Sequence, residues 1–200
     1  MFGLAFRGTV AAMSILDDIA DPERSPPRYT TRPFPPYRYV PGAHPHPTRD
    51  PRGHSYDPQP TLNRHAPWRP EDWRLLDDWL YGIDLFNAHY FWEAHEAWEG
   101  LWAAVPRESV AALFLQGLIQ LAAALLKRHM GSEHGAVVLS GEGLDKLRHV
   151  AAAAPQFMGL DVENVAAAFA TFFRSRSSGG QAPAGDVPVL RLLGIGERTP

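Results

Sequence analysis

Apolar side chains recur at helical spacing over most of the chain that follows residue 70. The pattern begins at Trp73 and continues to Trp102, before Pro106 ends it, and such spacing predicts helices that bury one face. Pro70 and the two acidic residues after it are typical of a first helical turn, where negative charge meets the positive end of the helix dipole. All six tryptophans lie in residues 68–102, so we expect this stretch to form a wall of the core.

Three further helices are predicted in the second half of the chain. One covers residues 107–130 and ends at a glycine, which favours the left-handed conformation of helix ends. Ser132 is a candidate cap for the next, which extends to about Ala153, and Asp161 for the last, over residues 162–174. We therefore predict an all-α fold, an irregular array or bundle of four to five helices.

The first 70 residues have a different character, because they carry 14 of the 19 prolines. Proline removes backbone donors and favours extended conformations, so no regular helix is expected between residues 21 and 70. The aromatic residues of segment 33–41 favour an arm that lies across its own domain, and a free tail or a ligand for a partner is the alternative. We divide the chain into a tail and proline-rich arm (1–69), a helical domain (70–175), and a flexible linker with a short C-terminal tail (176–200).

The two ends of the chain carry separate expectations. Residues 1–12 are apolar but hold their basic residue, Arg7, inside the apolar stretch, which is not the order of a targeting segment. Met13 is therefore a second candidate start, and we expect a cytoplasmic protein of bacterial type. The apolar segment 187–195 is expected to dock back onto the domain.

Composition and charge exclude several classes of function. A net charge of −3 and a pI near 6.3 offer no basic field for nucleic acid. Residues 109–126 carry no charge but are short of the roughly 20 needed to span a bilayer, so we interpret them as a buried core helix and expect no membrane partner. The absence of cysteine excludes thiolate metal sites and cysteine nucleophiles, and any metal must use His, Asp or Glu.

The densest group of polar residues lies in residues 87–99, which we predict to be helical. His95, Glu96 and Glu99 form the pattern H-E-x-x-E, which is close to the metalloprotease helix motif. His95 and Glu99, four residues apart, could hold one Zn, Mn or Fe ion from one helix face, with Glu96 as a catalytic general base. The alternative is a structural, hydrogen-bonded pair of His95 and Glu99.

Further polar residues complete the candidate set. Gln116, Gln120 and Lys127 share one face of the following helix, and we expect this face to meet the His95/Glu99 stripe. The result is either a closed polar seam inside the bundle or a small cleft that orients a substrate. Asn87 belongs to the same candidate set.

The arm offers a second group of possible ligands. It contains His44, His46, Asp50 and His54 within eleven residues. Without a rigid element to fix them, we favour a network of surface turns over a metal site.

These motifs resemble a known family. Residues 86–102, residues 114–124 and the later Met130-Gly131-x-x-x-Gly135-Ala136 turn are similar to those of the domain-of-unknown-function family 309. The resemblance covers about residues 75–150 and implies a small all-α domain of about four helices. Members have been labelled predicted metal-dependent hydrolases, which implies His95, Glu96 and Glu99 as site positions with Gln116 and Gln120 beside them. Lys127 stands where the family often has histidine, and the arm resembles an N-terminal extension of longer members.

Two functions follow as hypotheses. The first is a metal-dependent hydrolase of an unknown small substrate, which predicts a solvent-connected cleft beside His95. The second is a non-enzymatic helical module that binds a protein partner, which predicts a closed and fully hydrogen-bonded His/Glu/Gln seam. A homodimer is compatible with either.

Overall fold

The computed structural model describes residues 26–59, 66–176 and 187–195, and the all-α prediction is confirmed. Predictions about Met13 and about most of the linker lie outside these residues, and the domain boundaries stay predictions. In the described part, a 3₁₀ helix precedes five α-helices, and a two-stranded antiparallel hairpin separates the last two. The elements are the 3₁₀ helix Pro70–Leu75, α1 Asp77–Asn87, α2 Phe91–Ala103, α3 Val110–His129, α4 Glu133–Ala153, β1 Gln156–Phe157, β2 Leu160–Asp161 and α5 Val162–Arg176.

The starts of the later helices follow local capping chemistry. Ser109 Oγ accepts a hydrogen bond from the Ala112 amide at 3.1 Å, so α3 begins at Val110. Asp161 Oδ1 accepts from the Asn164 amide at 3.0 Å and caps α5 as predicted. Ser132 occupies the corresponding position before α4 but makes no capping bond with its side chain.

The prediction of one continuous helix over residues 87–99 is wrong. The chain leaves α1 at Ala88 and enters α2 at Phe91. His89 has a φ of 64°, a left-handed conformation that ends a helix, and its amide donates to the Phe86 carbonyl at 2.9 Å. Asn87 and Glu99 therefore lie on different helices.

Aromatic rings fill the core between the helices. Trp79, Trp98, Phe86 and Phe114 are fully buried, and Trp79 lies 6.0 Å from Trp98 and 5.6 Å from Phe114 between ring centroids. Trp73 is buried and Trp68 and Trp102 are half-buried in the same core, so the predicted aromatic wall is confirmed for five of the six tryptophans. Trp92 instead packs on Tyr39 and His46 of the arm, with ring centroids 5.2 and 5.5 Å away.

The apolar helix α3 packs against α2 on one side and α4 on the other. It has the length and hydropathy of a membrane span, but 56% of its most apolar 18-residue window is buried inside the protein. This burial is typical of the core helix of a soluble domain.

Extended segments from both ends of the described chain cover the helices. The arm docks on its own domain, as expected, through Tyr29 and Tyr39, which are buried. The segment 187–195 also docks, through Leu190 and Leu192. Both segments join the helices in the main hydrophobic cluster.

Candidate functional site

His95, Glu96 and Glu99 form a cluster on the surface of α2. His95 Nδ1 lies 3.4 Å from Glu96 Oε1, and His95 Nε2 lies 3.8 Å from Glu99 Oε1. One ligand atom from each side chain falls within 4.8 Å of the other two. Glu96 is therefore a third possible ligand beside the predicted pair of His95 and Glu99.

The charges of the cluster act on its histidine. Burial lowers the pKa of His95, but the neighbouring Glu96 carboxylate and the charge of Glu99 outweigh it, so the pKa lies above the ordinary 6.5. His95 Nδ1 is shielded from solvent and makes no hydrogen bond of good geometry with the described residues. The predicted His95–Glu99 pair is a 3.8 Å ionic contact, longer than a hydrogen bond.

The surroundings of the cluster differ from both hypotheses. The side chains of His95, Glu96 and Glu99 are 25%, 41% and 48% exposed, so they do not form a closed seam. Two depressions in the described part of the chain are lined by Leu113 and His149, between the start of α3 and the end of α4. None of the three cluster residues lines either depression.

The glutamine face of α3 serves a different contact. Gln120 Nε2 donates to Glu142 Oε2, so the carboxylate that Gln120 meets belongs to α4 and not to α2. Gly117 and Gly143 allow this close approach, because a Cβ at Gly143 would lie 2.9 Å from the Gly117 carbonyl oxygen. Gln116 is half-buried and Lys127 is exposed. Gln120 therefore bonds to α4 and does not form the expected polar seam with His95.

Asn87 is buried and contacts the C-terminal segment. Its Nδ2 donates to the Leu190 carbonyl at 2.9 Å, and its Oδ1 accepts from the Leu190 amide at 2.8 Å. Both polar atoms of its side chain therefore bond to the backbone of the tail.

Comparison of the sequence with protein-family models supports the resemblance noted from the motifs. Residues 79–139 match the family model described as Domain of unknown function (DUF309). The chain contains a DUF309 domain. The match spans α1 to the first turns of α4 and includes every predicted site residue, while the arm, α5 and the tail lie outside it. No curated protein matches the chain.

Sequence reasoning missed a buried carboxylate, Asp84, in the DUF309 domain. It accepts hydrogen bonds from the Tyr29 amide at 2.7 Å, the Thr30 amide at 2.9 Å and the Thr30 hydroxyl at 2.7 Å. Arg28 Nε lies 3.3 Å away. An acid inside the apolar run Tyr-Gly-Ile-Asp-Leu-Phe was the available signal, because a buried carboxylate needs donors.

Glu93 of α2 is the second carboxylate that holds the arm. Its Oε1 accepts from the Tyr39 amide at 2.8 Å and lies 3.1 Å from His54 Nε2. The side chains of His54 and Glu93 are 4% and 5% exposed, so this pair is buried. The other carboxylate oxygen of Glu93, Oε2, is buried and has no hydrogen-bond partner among the described residues.

The other arm residues form the predicted turn network. Arg52 donates to both oxygens of Asp50, and these hydrogen bonds lower the pKa of Asp50 to about 2. His44 stacks on Tyr37, with ring centroids 5.2 Å apart. His46 Nδ1 accepts from the Thr48 amide at 3.3 Å. Only His54 departs from the prediction of surface turns, because its side chain is buried against α2.

Proposed function

We propose that the DUF309 domain binds a divalent transition-metal ion through His95, Glu96 and Glu99 and acts as a metal-dependent hydrolase. The observation that carries the proposal is the convergence of one imidazole and two carboxylates within 4.8 Å on a rigid helix. Imidazole and carboxylate ligands suit Zn, Mn and Fe, and three protein ligands leave coordination positions free. Such an ion supplies Lewis acidity to a substrate oxygen and lowers the pKa of water.

The residues of the chain have defined tasks in this proposal. His95 lies on α2 with three-quarters of its side chain buried, and this packing restricts the freedom of its ring before a ligand arrives. Glu96 and Glu99 supply two negative charges that balance a divalent cation, and both remain accessible to solvent. Glu96 is better placed as a ligand than as a general base, because its Oε1 lies beside the histidine.

Metal analysis of the untagged full-length protein tests the binding step. After loading with Zn²⁺, Mn²⁺ or Fe²⁺ and dialysis, we expect about one ion per chain in the wild type and loss of that ion in Glu96→Gln and Glu99→Gln. Glu108→Gln, at an exposed glutamate outside the cluster, is the matched control and retains the ion. Equal metal content in all four proteins, or none in any of them, overturns the proposal.

The hydrolase step needs its own measurement. The loaded wild type is screened against ester, phosphoester and amide substrates, with Glu99→Gln treated in parallel. We expect turnover that depends on both the ion and Glu99. If the protein binds stoichiometric metal but shows no turnover that depends on Glu99, the metal-binding proposal stands and the hydrolase proposal is wrong.

A second candidate function is a non-enzymatic helical module, in which the cluster is a surface ion-pair network. The observation that favours it is the position of the two depressions, away from the cluster. In this case Glu99→Gln changes the free energy of unfolding by less than about 1 kcal/mol, as expected for a partly exposed ion pair, and metal binds neither the wild type nor the variant. A cytoplasmic location and the absence of nucleic-acid or membrane partners belong to both proposals, supported by the net charge of −3 and the burial of α3.

A further inference from the structure

The C-terminal segment 187–195 lies on the domain as an extended peptide lies in a groove. Its exposure alternates, with Leu190 at 0% and Leu192 at 6%, while Val189, Arg191 and Leu193 are exposed. Alternate side chains of an extended chain point to opposite sides, so two leucines spaced by one residue enter the core together. The buried positions define a Leu-x-Leu pattern.

The backbone of this segment is bound mainly by side chains. Asn87 contacts both the amide and the carbonyl of Leu190, which satisfies one residue of an extended chain completely. The Leu192 amide donates to the Tyr29 hydroxyl at 2.8 Å, and the Leu193 amide donates to the Gly159 carbonyl at 2.7 Å. These hydrogen bonds can form with the backbone of any extended peptide, whereas the pockets for the two leucines select the sequence of the peptide.

Three separate elements build the groove. Asn87 ends α1, Tyr29 belongs to the arm, and Gly159 lies in the hairpin turn between β1 and β2. Gly159 has a φ of 81°, and a Cβ there would lie 2.5 Å from the ring of Trp73, so the turn approaches the core closely. The groove therefore belongs to the helical domain and its arm.

We propose that this groove is a recognition site for an extended Leu-x-Leu segment of a partner protein, and that residues 187–195 occupy it as a built-in competitor. A partner with the same pattern offers the same backbone groups to Asn87 and Tyr29 and the same leucine side chains to the core. The tail is part of the same chain, so a partner binds only in competition with it, and covalent tethering typically gives effective concentrations of about 1 mM. The site is separate from the metal cluster and stands or falls independently of it.

A fluorescent peptide with the sequence of residues 187–195 is the probe for this site. Leu190→Asp in the full-length chain places a charge in the leucine pocket and releases the tail without altering the groove. For a peptide with a Kd of about 10 μM, a competitor at about 1 mM weakens apparent binding about 100-fold. We expect peptide binding to Leu190→Asp at micromolar concentration and binding to the wild type at least tenfold weaker.

Two controls separate recognition from non-specific adhesion. The same peptide N-methylated at the leucine equivalent to Leu190 cannot donate to Asn87 Oδ1, and we expect its binding to fall at least tenfold. The double variant Leu190→Asp/Asn87→Ala should lose binding of the unmodified peptide to a similar extent. Equal affinity of both peptides, or equal binding by the wild type and Leu190→Asp, overturns the proposal.

Hydrogen exchange of the wild-type protein covers the case in which Leu190→Asp fails to fold. If the tail is a detachable ligand, the amides of Leu190, Leu192 and Leu193 exchange through local opening, faster than the amides in the middle of α3. Exchange of these three amides only with global unfolding shows that the tail is an inseparable part of the core and overturns the proposal. A dimer formed by exchange of tails between two copies, detected by size-exclusion chromatography at rising concentration, also overturns it.

Discussion

Acid sensitivity of the turn between α1 and α2 is expected from His89. Its ring stacks on Phe91 with centroids 5.5 Å apart, and burial lowers its pKa from 6.5 to about 4, helped by the charges of Arg38 and His129. Between these pH values the unfolded chain binds a proton that the folded chain does not, so stability is full above about pH 6.5 and falls toward pH 4. At about 1.4 kcal/mol per pH unit, the loss approaches about 3 kcal/mol.

His89→Asn isolates this contribution, because asparagine tolerates the left-handed φ of 64° and does not titrate. The free energy of unfolding is measured by urea denaturation of both proteins at pH 7, 6, 5 and 4. The difference between the variant and the wild type should move by about 3 kcal/mol in favour of the variant over this range. His149→Asn makes the same change at an exposed histidine of α4 and should run parallel to the wild type. Parallel curves for His89→Asn refute the burial argument.

Four further substitutions test the docking of the arm and the packing and capping of the helices. Asp84→Ala leaves two arm amides and a hydroxyl without their acceptor, so urea denaturation should show a loss of at least about 3 kcal/mol, and a loss under about 1 kcal/mol contradicts arm docking. Gly82→Ala places a Cβ 2.1 Å from Trp98 Nε1, so thermal denaturation should show a free energy of unfolding lower by about 1–3 kcal/mol. Gly141→Ala, the same change in open space, should raise the free energy of unfolding by up to about 1 kcal/mol. Ser109→Ala should cost about 1 kcal/mol in the same assay, and no change would show that the α3 cap is dispensable.

Local sequence signals were sufficient for most of the helical array. The apolar periodicity, Pro106 and the cap residue Asp161 act within a few residues of where they stand, so their effect can be deduced without tertiary contacts. The break at His89 escaped prediction for the opposite reason. The left-handed conformation is uncommon in any non-glycine residue and only enriched in histidine, so the residue type alone is a weak signal for a helix break.

The polar residues were harder to assign, because their partners are distant in sequence. Asn87 and Leu190 are 103 residues apart, and Glu93 reaches Tyr39 across 54 residues. Helical geometry correctly placed His95 and Glu99 on one stripe, since that question concerns a single helix. It could not show that Gln120 turns to Glu142 on α4, because this depends on how α3 packs between two neighbours.

The two faces of α2 separate structural from available polar groups. Glu93 is buried and bound to the arm, whereas Glu96 and Glu99 are partly exposed and each forms an ion pair with His95. Buried polar groups require partners, so the inward-facing carboxylate is committed to the fold and the outward-facing ones remain free to bind a ligand. Because the sites share no contact, the effects of Glu99→Gln and Asp84→Ala on unfolding should add to within about 0.5 kcal/mol in the double variant. A larger departure, measured by urea denaturation without metal, would show that the cluster is coupled to arm docking and is part of the structural framework.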